Sequence, residues 1–561
     1  MTMMTENQNN TEQSESTSFA QKCSSVMNDA VSIAVLVLIT VFPLIFHNSY
    51  YDILETKYRC YRFCVIALLI TLPFLVLGMV SIDLKKFQGR HTDIFLSRLH
   101  PKNWKKTFCA VDAAVLFFWA AVVISTLQSD YLYEAFWGNE GRFSGLMMLT
   151  LYVASFLLVF HFWKFNGAFL ELFLGVGMLM SVFGITDYFR MDILHFRKSG
   201  DAVTAMASYT STIGNINTYT AFVGIFVGLS VTLFALEKKP LKQIWYYLCM
   251  VVSFAAILTG RSDNAYLSIA AVFILLPFLL FTSREGIKRY LIIAATFFTV
   301  IQFVAVVNER FADAVLALDH AFGIIADFSR NFWLAPFLWV TVLVFWIYDK
   351  KFREKPKSFK KLKFSLVHMW GAFILLLLVT ACFVFVDVNL LGHAERYGSL
   401  SSYLLFNDSW GSSRGYIWRR SLWMYNRMPF LHKLFGCGPD TFGCLVSKTI
   451  IFETNSYLGS YLDNAHNNFL QYLVTLGIVG LTAYLAFLGT VFARLFKNRD
   501  KSPYIPAILL AAACYVLQSV INIDVLIVTP FLWLLLAMGM AACKSQRKYC
   551  HGVIEKVADG K

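Results

Sequence analysis

Asp463-Asn464-Ala465-His466-Asn467-Asn468-Phe469-Leu470-Gln471, continued by Leu476-Gly477-Ile478-Val479-Gly480, sets one histidine among asparagines at the mouth of a long apolar run. The pattern reads as a titratable side chain at the lip of a membrane helix. An imidazole exchanges a proton near neutral pH, so His466 is the natural general base of this stretch. Gly477 and Gly480 follow on the same predicted helix, where small residues let a neighbouring backbone come close. A structural reading competes with the chemical one: Asn464 caps the helix and His466 is an interfacial polar residue.

The apolar run after His466 has many counterparts. The 561 residues are 57% hydrophobic and 16% aromatic, with a mean hydropathy of +0.58, which excludes an ordinary soluble class. Runs of spanning length centre near Leu38, Thr71, Phe117, Ala154, Leu179, Val227, Phe254, Ile274, Phe298, Val340, Leu377, Tyr484, Ala512 and Leu534. The expected fold is an all-α polytopic membrane protein with about fourteen transmembrane helices. One long extracytoplasmic helical loop lies between the eleventh and twelfth. The divisions are a disordered tail over 1–27, spans over 28–386, the loop over 387–465, spans over 466–543, and a tail over 544–561. The opening 27 residues are polar and lack the basic start and prompt apolar core of a cleaved signal peptide.

A net charge of +14 invites a nucleic-acid partner, but the cations fall in short loops between apolar runs. Lys85 to Lys106 crowd one loop and Lys350 to Lys363 another, with smaller clusters at Lys238–Lys242, Arg284–Arg289 and Arg494–Lys501. All share one side if both termini are cytoplasmic, as the positive-inside rule expects. The other side then holds 128–144, 190–216, the turn Gly260-Arg261-Ser262-Asp263-Asn264, 308–331 and the long loop. A loop of that length reads as functional. Cys437 and Cys444 both fall there, and spacing leaves a disulfide and two free thiols equally open.

Within the loop, Trp410-Gly411-Ser412-Ser413-Arg414-Gly415-Tyr416-Ile417-Trp418-Arg419-Arg420 reads as a Ser-capped helix, and Phe435-Gly436-Cys437-Gly438-Pro439-Asp440 as a Gly/Pro turn. Arg261, set between two spans with hardly any loop, faces a cavity or a partner, and Asp263 is the simplest partner. Gly214-Asn215-Ile216-Asn217 opens another span, where asparagines either cap the helix or meet sugar hydroxyls. Trp137-Gly138-Asn139-Glu140-Gly141-Arg142 opens a third. Gly224 and Gly228 are a lone small-residue pair, most simply helix packing. No P-loop, His-Glu-x-x-His or carboxylate pair at metal spacing occurs.

Arg414, Trp418, the Gly436–Phe442 turn and then Ala465-His466-Asn467-x-x-Leu470-Gln471 with Gly477-x-x-Gly480 follow an order that resembles the O-antigen ligase and O-antigen polymerase superfamily. One departure is Gly260, where the family more often carries serine before the arginine. The resemblance covers roughly residues 137–485. It implies a GT-C-type membrane glycosyltransferase on the outer face of the bacterial cytoplasmic membrane. Its donor is a glycan on undecaprenyl pyrophosphate, its acceptor a glycan or lipid-glycan hydroxyl, and the transfer inverts the anomeric carbon without metal or other cofactor. His466, Arg414 and Arg261 are the implied catalytic residues. Arg142, Asn215, Asn217, Trp418, Asn467 and Gln471 are the implied substrate-binding ones. Membrane lipids are partners and nucleic acid is not. The alternative is a transporter or flippase of lipid-linked oligosaccharides, which favours repeated halves and broken helices at mid-membrane.

Overall fold

An apolar helix of a membrane protein faces lipid or other helices, and Ile216–Leu236 is enclosed by other helices on every face. Of its residues from Thr218 to Ala235, every one is buried. The computed structural model describes residues 2–48, 51–193, 195, 208–331, 333–351 and 359–545. In chain order its principal helices are α1 (Thr2–Leu44), α2 (Ile53–Phe87), α3 (Ala110–Leu127), α4 (Leu146–Phe162), α5 (Gly167–Tyr188), α6 (Ile216–Leu236), α7 (Pro240–Thr259), α8 (Ala265–Leu280), α9 (Arg284–Arg310), α10 (Leu334–Lys351) and α11 (Phe359–Asn389). The long loop adds α12 (Trp410–Arg427) and α13 (Phe442–Thr449) before α14 (Asn468–Lys497), α15 (Tyr504–Gln518) and α16 (Thr529–Ser545). The only strands among the described residues are the two-residue hairpin Tyr209–Thr210 and Gly214–Asn215.

The chain is a polytopic, almost entirely helical membrane protein. Among the described residues nine helices are long and apolar enough to cross a membrane: α1, α2, α3, α5, α6, α7, α9, α11 and α14. Four more, α4, α8, α15 and α16, are apolar but shorter. The remaining expected centre, Val340, lies on α10, which ends in Asp349-Lys350-Lys351. Parts of three sequence readings, the basic run around Lys357, the 190–216 segment and the tail beyond Ser545, lie outside the described residues.

Packing around α6 explains its two spaced glycines. A Cβ on Gly228 would sit 2.6 Å from the Ala511 backbone of α15, and one on Gly224 would sit 2.4 Å from Ser268 of α8. α6 therefore meets α15 backbone to backbone and α8 backbone to side chain, as small residues allow. A second device closes the α1–α2 hairpin. The fully buried Lys57 donates to the carbonyls of Phe42, Pro43 and Ile45 at 2.8, 2.7 and 3.1 Å, satisfying the end of α1 that intrahelical bonds leave open.

At the other end of α1 the helix starts at Thr2, inside the stretch expected to be a disordered tail. Ser16 hydrogen-bonds His91, and Phe19 packs against Phe87 and His91, so the polar segment has a surface to lie on.

The long loop is a packed unit rather than a passive connection. Tyr416, Ile417, Met424, Cys437, Phe442, Val446 and Leu462 form a core of their own, joined to the first turns of α14 by Leu470 and Val474. Its Gly/Pro turn docks on a break in α14. Gly477 has φ 71°, and a Cβ there would lie 2.3 Å from the Leu434 carbonyl oxygen. A Cβ on Gly436 would lie 2.1 Å from the Thr475 carbonyl oxygen. That carbonyl, freed by the break, accepts from Gly438 N–H at 3.0 Å and Ser125 Oγ at 2.8 Å. Only glycine permits so close an approach. Cys437 and Cys444 are free thiols.

Candidate functional site

The turn that carries His466 is built from its neighbours' amides. Asn464 Oδ1 accepts the His466 N–H at 2.9 Å, Gln471 Oε1 accepts the Ala465 N–H at 3.0 Å, and Asn467 Oδ1 accepts the Leu470 N–H at 3.0 Å. The cap of α14 is thus Asn467 and not Asn464, whose oxygen instead folds the turn ahead of the helix. Asn467 and Gln471, expected to bind substrate, commit their amide oxygens to this scaffold. The scaffold holds His466 at φ 47°, a left-handed conformation that is uncommon for residues other than glycine.

His466 is half-buried, and among the described residues neither ring nitrogen has a hydrogen-bond partner. Burial, then the positive charges of Arg414 and Arg142, pull its pKa down to about 4, against the opposing charge of Asp463. The imidazole is therefore neutral at pH 7, with a lone pair free to accept a proton.

Arg414 reaches this place from α12. Its expected serine cap is absent. Instead Gly411, Ser412 and Ser413 all have positive φ, and the regular helix begins after them. The guanidinium donates to the carbonyls of Ile521 at 3.0 Å and Gly411 at 2.7 Å, and to Asn264 Oδ1 at 3.4 Å. Among the described residues no carboxylate lies within ion-pair distance of it, and burial depresses its pKa from the ordinary arginine value. A charge fixed by neutral carbonyls keeps its field for a ligand.

Arg261 sits in the neighbouring turn with φ 60°, and its Nε donates to the Ala317 carbonyl at 2.6 Å. The partner expected from sequence, Asp263, is engaged elsewhere. It makes hydrogen-bonding contact with Asp319, whose pKa burial pushes up to about 6. Tyr266 Oη and the Phe322 N–H also donate to Asp319, at 3.2 and 2.8 Å. Asp319 and Tyr188 act electrostatically on Arg261.

The remaining sequence candidates divide. Arg142 is at the site and forms a two-pronged pair with Asp463, Nε to Oδ2 2.9 Å and Nη2 to Oδ1 3.2 Å. Asn217 Oδ1 accepts from Ser262 Oγ at 2.6 Å, and its carbonyl accepts from Asn522 at 3.2 Å, so it braces the Arg261 turn. Asn215 is exposed and caps α6 through the Asn217 N–H at 2.8 Å, the structural alternative read for it. Trp418 joins an aromatic cluster with Phe406 and Trp410, its indole N–H buried without a partner among the described residues.

Three contributors escaped the sequence reading. The first is the turn from Ser519 to Val528, which supplies the Ile521 carbonyl, Asn522 and Asp524. Its signal was the two polar residues Asn522 and Asp524 set between two apolar spans. The second is Asn264, read only as part of a tight turn. The third is Asp440, buried, which accepts the N–H groups of Asn139 at 2.8 Å and Ser144 at 3.0 Å. Burial pushes its pKa up to about 7 despite those bonds and Arg142. Beneath the His466 turn lies a cavity of about 30 Å³ lined by Arg142, Asp440, Asn468, Gln471, Tyr472 and Asp524, room for one water.

Residues 314–485 match the family model described as O-antigen ligase. That stretch runs from the Asp319 segment through α12 and the His466 turn into α14, and over it the chain is similar to the O-antigen ligase family. No curated protein matches the chain significantly.

Proposed function

We propose that this chain, similar to the O-antigen ligase family over residues 314–485, transfers a glycan from undecaprenyl pyrophosphate to an acceptor hydroxyl, with inversion, at the outer face of the bacterial cytoplasmic membrane. The observation that carries this reading is the His466 imidazole, neutral at pH 7, within the field of the Arg414 guanidinium, neither with an ion-pair partner among the described residues. One accepts a proton and the other holds negative charge, which are the two demands of glycosyl transfer from a pyrophosphate.

The acceptor oxygen attacks the anomeric carbon as its proton passes to His466. The bond from that carbon to the pyrophosphate oxygen breaks on the opposite face, and the electron pair leaves with the pyrophosphate. Arg414, with Arg261 from the adjoining turn, stabilises the charge that builds there, since guanidinium groups bind phosphate oxygens in bidentate fashion. No metal is required in this scheme. Ligase and polymerase share the donor chemistry and differ in the acceptor.

The test is transfer from a purified lipid-pyrophosphate glycan by detergent-solubilised protein, with and without excess EDTA. Turnover without a membrane gradient and in EDTA is the expected result. Loss in EDTA restored by magnesium or manganese would move the charge-neutralising role to a metal, with the Asp263–Asp319 pair as its first suspect. Movement of the lipid across a bilayer with no transfer would favour the flippase. Deleting the gene separates the two enzymes: single unpolymerised units mark a polymerase, and full-length chains left on the carrier mark a ligase.

A further inference from the structure

The only ion pair that ties the His466 turn to another part of the chain, among the described residues, is Arg142 with Asp463. The two lie 321 positions apart in sequence and meet in the two-pronged geometry that fixes orientation as well as distance. Each end is itself anchored. On the Arg142 side, the buried Asp440 accepts the N–H groups of Asn139 and Ser144, clamping the 139–144 loop from both flanks. Asp440 in turn belongs to the Gly/Pro turn seated on the break at Gly477. On the Asp463 side, Asn464 Nδ2 donates to Asp463 Oδ1 while its own oxygen takes the His466 N–H. An unbroken chain of bonds therefore runs from the break in α14, through Asp440, Arg142, Asp463 and Asn464, to the backbone of His466.

We infer that Arg142, Asp463 and Asp440 are positioning residues that set His466, and that Arg142 acts through Asp463 rather than on the pyrophosphate. A left-handed backbone at a non-glycine residue persists only where surrounding bonds over-determine it, and this chain supplies them. Arg142 has both prongs occupied, whereas Arg414 has no carboxylate at all among the described residues; the division of labour follows from the partners. The inference rests on the proposed role of His466 for its consequence in transfer, but not for its geometry.

The experiment therefore has one arm that needs no substrate. Full-length protein carrying Arg142→Gln, Asp463→Asn, both together, or Asp463→Glu is treated with diethyl pyrocarbonate across pH 4 to 8. Modification of His466 is followed by peptide mass spectrometry, with size-exclusion behaviour as the check on folding. Removing Arg142 takes a positive charge from the imidazole, so the modification midpoint rises from about 4 toward the ordinary 6.5. Removing Asp463 takes away the opposing charge, so His466 stays reactive to the lowest pH. The double variant falls between, and Asp463→Glu restores the wild-type profile. Identical midpoints in wild type and both single variants would overturn the inference.

The second arm is transfer from a lipid-pyrophosphate glycan extracted from cells lacking the protein. Each single variant is expected to lose about tenfold or more in kcat, and the double no more than either, because all three break one link. A rise in donor KM in Arg142→Gln alone, multiplying with the Asp463→Asn loss, would instead return Arg142 to the donor. If wild type modifies as described but transfers nothing, the proposed reaction fails while the positioning chain stands.

Discussion

Arg414 Nε lies 3.0 Å from the carbonyl oxygen of Ile521, so a cation from the long loop is seated by the turn between α15 and α16. The bond joins parts of the chain 107 residues apart and sets the guanidinium plane. Nη1 donates to Gly411 and Nη2 to Asn264 Oδ1 at 3.4 Å, so neutral oxygens hold the guanidinium at all three nitrogens and none of these partners cancels its charge.

Lysine at this position keeps the charge but has no fork to satisfy Ile521 and Gly411 while addressing a phosphate. Arg414→Lys is expected to lose on the order of 10²-fold in kcat/KM, the scale for removing one fixed stabiliser of transition-state charge. Steady-state transfer from a lipid-pyrophosphate glycan checks it, and full activity would leave Arg414 as a headgroup anchor.

His466→Ala is expected to cost on the order of 10²–10⁴ in rate while the protein still inserts and purifies. The pH profile gives a sharper test. A base works deprotonated, and burial with two arginines holds this imidazole at about 4. The rate should stay flat from neutrality down to mildly acid pH and fall only as pH drops through about 4. An acid limb near 6.5 in kcat would show that a different histidine, or none, is titrating.

Asp440 shifts the other way, from an ordinary 3.8 to about 7. The folded protein therefore binds a proton here that the unfolded chain releases between those values. Stability contributed by this group is present below about 4 and declines as pH rises through 7. Asp440→Asn keeps an oxygen for the Asn139 and Ser144 N–H groups and cannot ionise. Its unfolding midpoint should depend less on pH between 4 and 7 than that of wild type, as thermal melts in detergent would reveal.

Gly477→Ala places a methyl 2.3 Å from the Leu434 carbonyl and on a backbone at φ 71°. The strain is on the order of 1–3 kcal/mol before any clash is relieved. A lower melting temperature and loosened docking of the Gly436 turn are expected. Gly489→Ala, with open space around its Cβ, should be near neutral and serves as the control.

Orientation can be read by cysteine labelling in intact cells. Thr454, in the same long loop, is fully buried and would give a false negative, whereas Ser402 is exposed. Impermeant reagent should reach Ser402→Cys and not Lys239→Cys. The reverse pattern would invert the proposed topology and remove the site from the outer face.

Much of this architecture was legible along the chain because burial in lipid demands long apolar runs. Each expected span centre falls on a helix, and α6, apolar all round, is the helix that the others surround. The ordered motif of Arg414, the Gly/Pro turn and His466 was legible too, since it resembles a known family. What the order of residues did not determine was who meets whom. Asp263 stands two residues from Arg261 yet contacts Asp319, while Asp463 finds Arg142 across 321 positions. Asn464 looked like the cap and Asn467 is the cap, because one residue of register decides which amide faces the free N–H groups. Charge partners and caps depend on distances of about 3 Å, the reach of a hydrogen bond. Sequence specifies such distances only between near neighbours on one element. Between loops they are set by how the helices pack, and here by where glycine lets the Gly436 turn sink into the break in α14.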